Sequence, residues 1–193
     1  MDVVQQLVDG RQAYEERAWA TAYQRLSAVD LGTLDDEDCS ALGTAAYLAG
    51  DRDAAARAFE ESYRRHEDAG ATLSAVRDTF WLGFLYSTSG NVTVGSGWTA
   101  RGARLLQGVD PDAVEHGYLL VHEMHRHLGT GDFPAALVAA IGIEETGRRC
   151  RDPDLTSVGM SSHGRLLIYA GQVREGLAML DEAMVGLADP HIS

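Results

Sequence analysis

The densest group of residues able to do chemistry is His122-Glu123-Met124-His125-Arg126-His127. A zinc peptidase helix needs H-E-x-x-H, which sets two histidines one turn apart on one face with the glutamate as base. Arg126 stands where the second histidine belongs, so that motif fails. His122 and His125 are still spaced to share a metal, and His116, Glu123 and His127 share a face at i, i+7 and i+11. The favoured reading is of histidines satisfied or solvated on a helix, with a metal-binding enzyme on the His116–His127 helix as a rival. Gly95-Ser96-Gly97 hints at a phosphate loop, but Ala100 occupies the third glycine position and the chain has no lysine for a Walker loop. Ser161-Ser162-His163 sets serine beside histidine, yet adjacent helical residues point different ways and no elbow glycines flank them. Trp81, Trp98 and Tyr86 read as core fillers. No catalytic residue, metal or cofactor is expected.

The elements that must position these residues are marked by four junctions: Gly50-Asp51, Gly90-Asn91, Gly131-Asp132 and Gly171-Gln172. Their spacing is nearly constant at about forty residues, the mark of a repeat architecture. Each junction lies between two apolar-rich segments, as the turn of a helical hairpin does. Glycine ends a helix in the left-handed conformation at no steric cost, and the Asp or Asn after it can cap the next helix. Asp110-Pro111 and Asp152-Pro153 put a capping acid before a proline at the first helical position. The spacing predicts helix pairs at about 3–17 and 19–29, 36–49 and 52–68, 71–89 and 92–107, 111–129 and 133–150, and 153–170 and 173–187. Phe80 and Phe84, or Ala55, Phe59 and Tyr63, recur at helical intervals. The weak helix formers Val92 to Gly97 predict a frayed or late-starting sixth helix.

Composition removes several classes. The chain of 193 residues carries 16 basic against 29 acidic groups, a net charge of -13, which argues against a nucleic-acid footprint on the chain itself. All 16 basic residues are arginine, a bias of GC-rich bacterial genomes. The longest apolar stretch, Phe133 to Ile143, is shorter than the ~18 residues of a membrane span, and from Met-Asp-Val-Val no signal peptide is expected. Cys39 and Cys150 lack C-x-x-C spacing and read as reduced thiols of a cytoplasmic protein.

Within the forty-residue period the sequence resembles the tetratricopeptide repeat (TPR). Leu82-Gly83, Tyr86 and Gly90 match the first half of its pattern, and Gly43, Gly50, Ala55 and Phe59 span the second unit. Gly164, Gly171, Leu180 and Ala183 fit the last, and Gly10, Trp19, Ala22 and Leu26 a degenerate first. The unit at Gly131 and Ala136 is poorest, with Met124 and His127 in place of the small residue and the aromatic. The resemblance implies an all-α fold, a right-handed α-solenoid of about five TPR-like hairpins forming one domain over residues 1–193. Phe80-Trp81-Leu82-Gly83, Gly147-Arg148-Arg149, Asp152-Pro153-Asp154-Leu155 and Leu180-Asp181-Glu182-Ala183-Met184-Val185 are further similar to the N-terminal repeat region of large LuxR-type regulators of high-GC Gram-positive bacteria. That resemblance implies a sensing or docking arm linked to transcriptional regulation. The helix-turn-helix of those regulators has no counterpart before Ser193, so DNA binding is not expected of this chain.

In such a solenoid the first helices line a concave face. The resemblance places Thr44, Tyr47, Arg77, Phe80 and Phe84 there, then Tyr118, Val121 and His125, then Ser161, Arg165 and Tyr169. Arginine and aromatic side chains are frequent interface anchors. Arg77, His125 and Arg165 would form a positive exception able to take a carboxylate or acidic peptide, unless the arginines pair with acids such as Glu115 or Asp78. The implied partner is a peptide, protein domain or small ligand. The last helix, about Val173 to Leu187, is expected to turn Leu177, Leu180 and Met184 inward. The tail Ala188 to Ser193 offers little charge to cover its other side, which predicts a homodimer through the C-terminal helices. A stand-alone self-associating accessory protein is the alternative to a regulator arm.

Overall fold

The structure, a computed structural model, describes residues 2–187; the tail 188–193 invoked above lies outside the described residues. Ten helices follow one another: α1 (Val3–Glu15), α2 (Trp19–Leu26), α3 (Asp36–Leu48), α4 (Arg52–Asp68), α5 (Thr72–Thr88), α6 (Val92–Leu105), α7 (Glu115–Thr130), α8 (Phe133–Cys150), α9 (Pro153–Tyr169) and α10 (Val173–Leu187). No strand occurs among the described residues. The five consecutive pairs pack as hairpins, and α2 also meets α3, α4 meets α5, and α8 meets α9. The chain divides into two compact units, Met1–Leu105 and Leu106–Ser193. No helix of the described residues is long and apolar enough to cross a membrane.

The hairpin turns follow from local chemistry. Gly50, Gly90, Gly131 and Gly171 all adopt positive φ, between 76° and 93°. Asp51 and Asp132 then accept from the backbone N–H groups of Ala54 and Ala135 at 2.9 and 3.1 Å. Asp152 caps α9 through Leu155 at 2.8 Å, with Pro153 at the first helical position. The matching Asp110-Pro111 signal does not start a helix. Asp110 instead accepts from the Asp112 N–H at 2.9 Å, closing a turn, and α7 begins only at Glu115.

Small residues set the helix contacts. A Cβ on Gly43 would fall 2.8 Å from the Phe59 ring, and one on Gly10 would fall 2.8 Å from Leu26. These contacts close the α3–α4 and α1–α2 hairpins, with the larger side chain filling the space the glycine leaves. The same constraint corrects the expectation for α6, which begins at Val92 without a late start. Gly95 lies directly on α5, where a Cβ would strike the Gly83 carbonyl and Ser87. Tertiary packing thus overrides the weak local propensity of this segment.

The faces of α10 also differ from expectation. Gly176 and Ala183 are buried, and Leu180 approaches Gly164, whereas Leu177 and Met184 are 50% and 64% exposed. Gly164 and Gly176 stand against each other's carbonyls, and that close crossing turns the neighbouring large residues outward.

In the first unit, Arg11 makes a bidentate pair with the buried Asp38, both contacts at 2.7 Å, and joins α1 to α3. Arg65 donates to the Leu31, Gly32 and Leu34 carbonyls and fixes the connection into α3. The Tyr23 hydroxyl reaches the capping Asp51 at 2.6 Å, and Tyr118 does the same to the capping Asp152 at 3.0 Å in the second unit.

Glycine at a seam and glycine on a free face should respond oppositely to alanine. A Cβ on Gly159 would stand 2.5 Å from the Glu144 Cα, so Gly159→Ala should destabilise by about 1–3 kcal/mol. Gly97 is exposed in α6 with nothing within 4 Å, and Gly97→Ala should stabilise by about 0.5–1 kcal/mol. Urea unfolding of the two variants checks this; shifts of the same sign would contradict the packing described.

Candidate functional site

The second unit contains a cavity of about 750 Å³ between the C-terminal halves of α7 and α9 and the start of α8. Its position follows from where the glycines lie. At the other end of the α8–α9 pair, Gly147 meets Thr156 and Gly159 meets Glu144, bringing the backbones into contact. At the cavity end the facing residues are large: Leu128, Phe133, Leu137, Leu166 and Tyr169. Phe133 and Tyr169 pair at 6.1 Å between ring centres, yet stay 49% and 70% exposed. Ser162 and the Arg165 guanidinium bring polarity to this wall. Arg165 donates to Ser162 Oγ over a long 3.4 Å and forms no ion pair with any described residue. Elsewhere in the unit Arg148 pairs with Glu144 at 2.9 Å and Arg149 with Asp112 at 3.2 Å, while Arg151 and Arg174, like Arg165, form no ion pair among the described residues.

The residues expected on the recognition face separate accordingly. Arg165 and Tyr169 line the cavity, while Ser161 turns back to the Val158 carbonyl and Ser162 takes the place expected of it. Val121 is buried and offers no recognition surface, a correction to its expected place. His125 is exposed and bonds the Val121 carbonyl at 2.7 Å through Nδ1. Tyr118 is engaged with Asp152. In the first unit, Tyr47 of α3 meets Phe84 of α5 at 5.9 Å and Trp81 at 5.7 Å, and Phe80 flanks Trp81 at 5.4 Å. Trp81 stacks flat on the buried Phe59 at 5.6 Å, so this face is an aromatic layer continuous with the core. Arg77 is exposed on the same helix, and Thr44 bonds its own helix at the Ser40 carbonyl. Phe133 and Leu137 escaped sequence reasoning; the signal available was a large apolar residue just after a turn glycine.

Two of the α7 histidines, His125 and His127, are taken up locally, whereas the buried His116 Nε2 has no hydrogen-bond partner among the described residues. His127 lies 3.6 Å from both Glu123 and Asp132. Among the described residues, no group of three or more His, Cys, Asp or Glu side chains is placed to hold a metal.

A buried polar network of α3, α4 and α5 was not anticipated. His66 Nδ1 lies 2.7 Å from Asp78 and 3.3 Å from Ser62 Oγ; Ser62 also donates to Asp78 at 3.0 Å and shares a 2.7 Å contact with Ser40. His66 Nε2 faces Asp36 at 3.4 Å. Serine, histidine and aspartate are all present, but a nucleophilic triad needs serine on one ring nitrogen and the carboxylate on the other. Asp36 does face Nε2, but Nδ1 is held by the closer Asp78 carboxylate, and the fully buried Ser62 donates its own proton to Asp78, so the geometry presents no activated serine. The network satisfies polar groups that the fold buries.

Burial pushes Asp78 up to about 6, against the lowering effect of its bonds to His66, Ser62 and Ser40. The folded state therefore holds this proton more tightly than the unfolded chain. Its stabilising share is complete below about pH 4, the ordinary carboxylate value, and is lost as pH rises through about 6. Asp78→Asn should remove that part of the pH–stability profile, measured by urea unfolding between pH 4 and 7. A wild-type-minus-variant difference that stays flat over this range would contradict the assignment.

No protein-family model matches the sequence, and no curated protein matches it. Among solved structures, BtubC (BKLC) from P. vanneervenii is similar with a TM-score of 0.56 at 18% identity, covering 95% of this chain and 75% of that one. At that identity the likeness is one of fold.

Proposed function

We propose that the chain is a non-enzymatic binding module of TPR-like hairpins, repeats of the right-handed solenoid type, recognising its ligand on the face of their first helices. The carrying observation is the α7–α9 cavity, whose apolar wall holds one guanidinium without an ion-pair partner among the described residues. A concave apolar site with a few placed polar groups is the usual form of a ligand pocket. The forty-residue hairpin period and the glycine seams support the TPR-like reading, and the BtubC likeness supports the helical architecture. Resemblance to the repeat arms of LuxR-type regulators makes the module a cytoplasmic sensing arm for transcriptional control. With a net charge of -13, contact with DNA falls to another chain or domain.

The neutral fluorophore N-phenyl-1-naphthylamine tests the site. Saturable single-site binding is expected, lost in Leu137→Trp, which fills the cavity, and kept in Met184→Glu, which lies outside it. Binding unaffected by Leu137→Trp, or no saturable binding, would overturn this reading.

A second reading, self-association through α10, is favoured by the exposure of Val173, Leu177, Met184 and Val185 along one helix. Clustered apolar exposure of this kind marks interaction surfaces, and a two-fold dimer is the simplest form. Light scattering across a dilution series should show a dimer that Met184→Glu converts to monomer. A monomeric mass at tens of micromolar would end this reading.

A further inference from the structure

The chemistry of the α7–α9 cavity restricts what it can hold. One cationic group, Arg165, lines it, and no carboxylate among the described residues pairs with that group. A guanidinium carries five N–H donors in a planar fork and does not lose its charge at physiological pH. One long bond to Ser162 Oγ leaves most of that fork for another acceptor. The remaining wall is aliphatic and aromatic, and the Phe133–Tyr169 ring pair stays exposed beside it.

The charge of the surrounding unit sets the limit on the ligand. Residues 106–193 contain 13 acidic side chains and 6 arginines. An acidic peptide or a phosphate dianion would meet this field with a single guanidinium to offset it. A monoanion needs only that one partner, and a carboxylate matches the guanidinium in bidentate geometry. A ligand with a long or aromatic apolar body would cover the exposed rings.

We infer that the cavity is a binding site for a small apolar monocarboxylate, its chain lying against Leu128, Leu137, Phe133 and Tyr169 and its carboxylate held by Arg165. This deepens the proposed function and rests on the cavity being a ligand site.

The test uses the full chain at pH 7.5 with N-phenyl-1-naphthylamine as reporter and decanoate or decanol as competitor. The two competitors share an alkyl chain and differ in the head group. Decanoate should displace the reporter at a concentration about tenfold or more below that of decanol, as a charge-assisted hydrogen bond requires. In Arg165→Met the reporter should still bind, and the two competitors should become equal. Equal displacement in the wild type, or a preference that survives Arg165→Met, would overturn the carboxylate assignment while leaving the cavity a binding site. Failure of the reporter to bind at all would overturn both.

Discussion

Helix backbones in this chain approach to contact distance where a glycine removes the Cβ, and the rest of the packing is arranged around those points. Gly43 lies under the Phe59 ring, Gly95 on the Gly83 carbonyl, and Gly164 opposite Gly176. An interior packed to crystal-like density leaves little freedom once such a point is fixed. The crossing of α9 and α10 at Gly164 and Gly176 puts Gly176 and Ala183 in the seam and turns Leu177 and Met184 out. Between α8 and α9, glycine contacts draw one end together, and large side chains at the other end frame the cavity. The candidate site is thus a consequence of where the chain is small and where it is large.

The two units use polar groups differently. In the first, Ser40, Ser62, His66 and Asp78 form a hydrogen-bonded cluster beneath the surface, next to the Phe59–Trp81 stack. Each buried polar group there has a partner, the condition under which burial is tolerated. Arg101 adds a surface version, lying 4.7 Å from the Tyr63 ring centre while bonding Glu67 at 3.1 Å. In the second unit the arginine at the apolar cavity has no comparable carboxylate among the described residues. That contrast separates a polar group used for packing from one available to a ligand.

Much of the fold was legible because its determinants are local. A glycine at positive φ followed by a capping acid is written in adjacent residues, and the helix starts at Arg52 and Phe133 follow from that alone, while the start at Pro153 follows from the capping Asp152 and the proline after it. Asp110-Pro111 shows the limit: the same local signal closed a turn, and α7 waited until Glu115. The start of α6, the outward face of α10 and the burial of Val121 depend on contacts with other helices. Periodicity along one helix cannot supply them. Of the candidate site, Arg165 and Tyr169 were reached through the repeat resemblance. Phe133, Leu137 and the Ser62–His66–Asp78 cluster needed residues that only the packing brings together.

The proposed recognition lies at the open end of the α8–α9 pair, beside the C-terminal half of α7. A heteronuclear NMR titration of the isotopically labelled chain with decanoate locates the contact directly. The largest shifts should fall on the amide signals of Leu128, Leu137, Leu166 and Tyr169 and on the methyl signals of the three leucines, with α1 and α10 unmoved. Largest shifts along the exposed residues of α10, such as Leu177, Met184 and Val185, would contradict it.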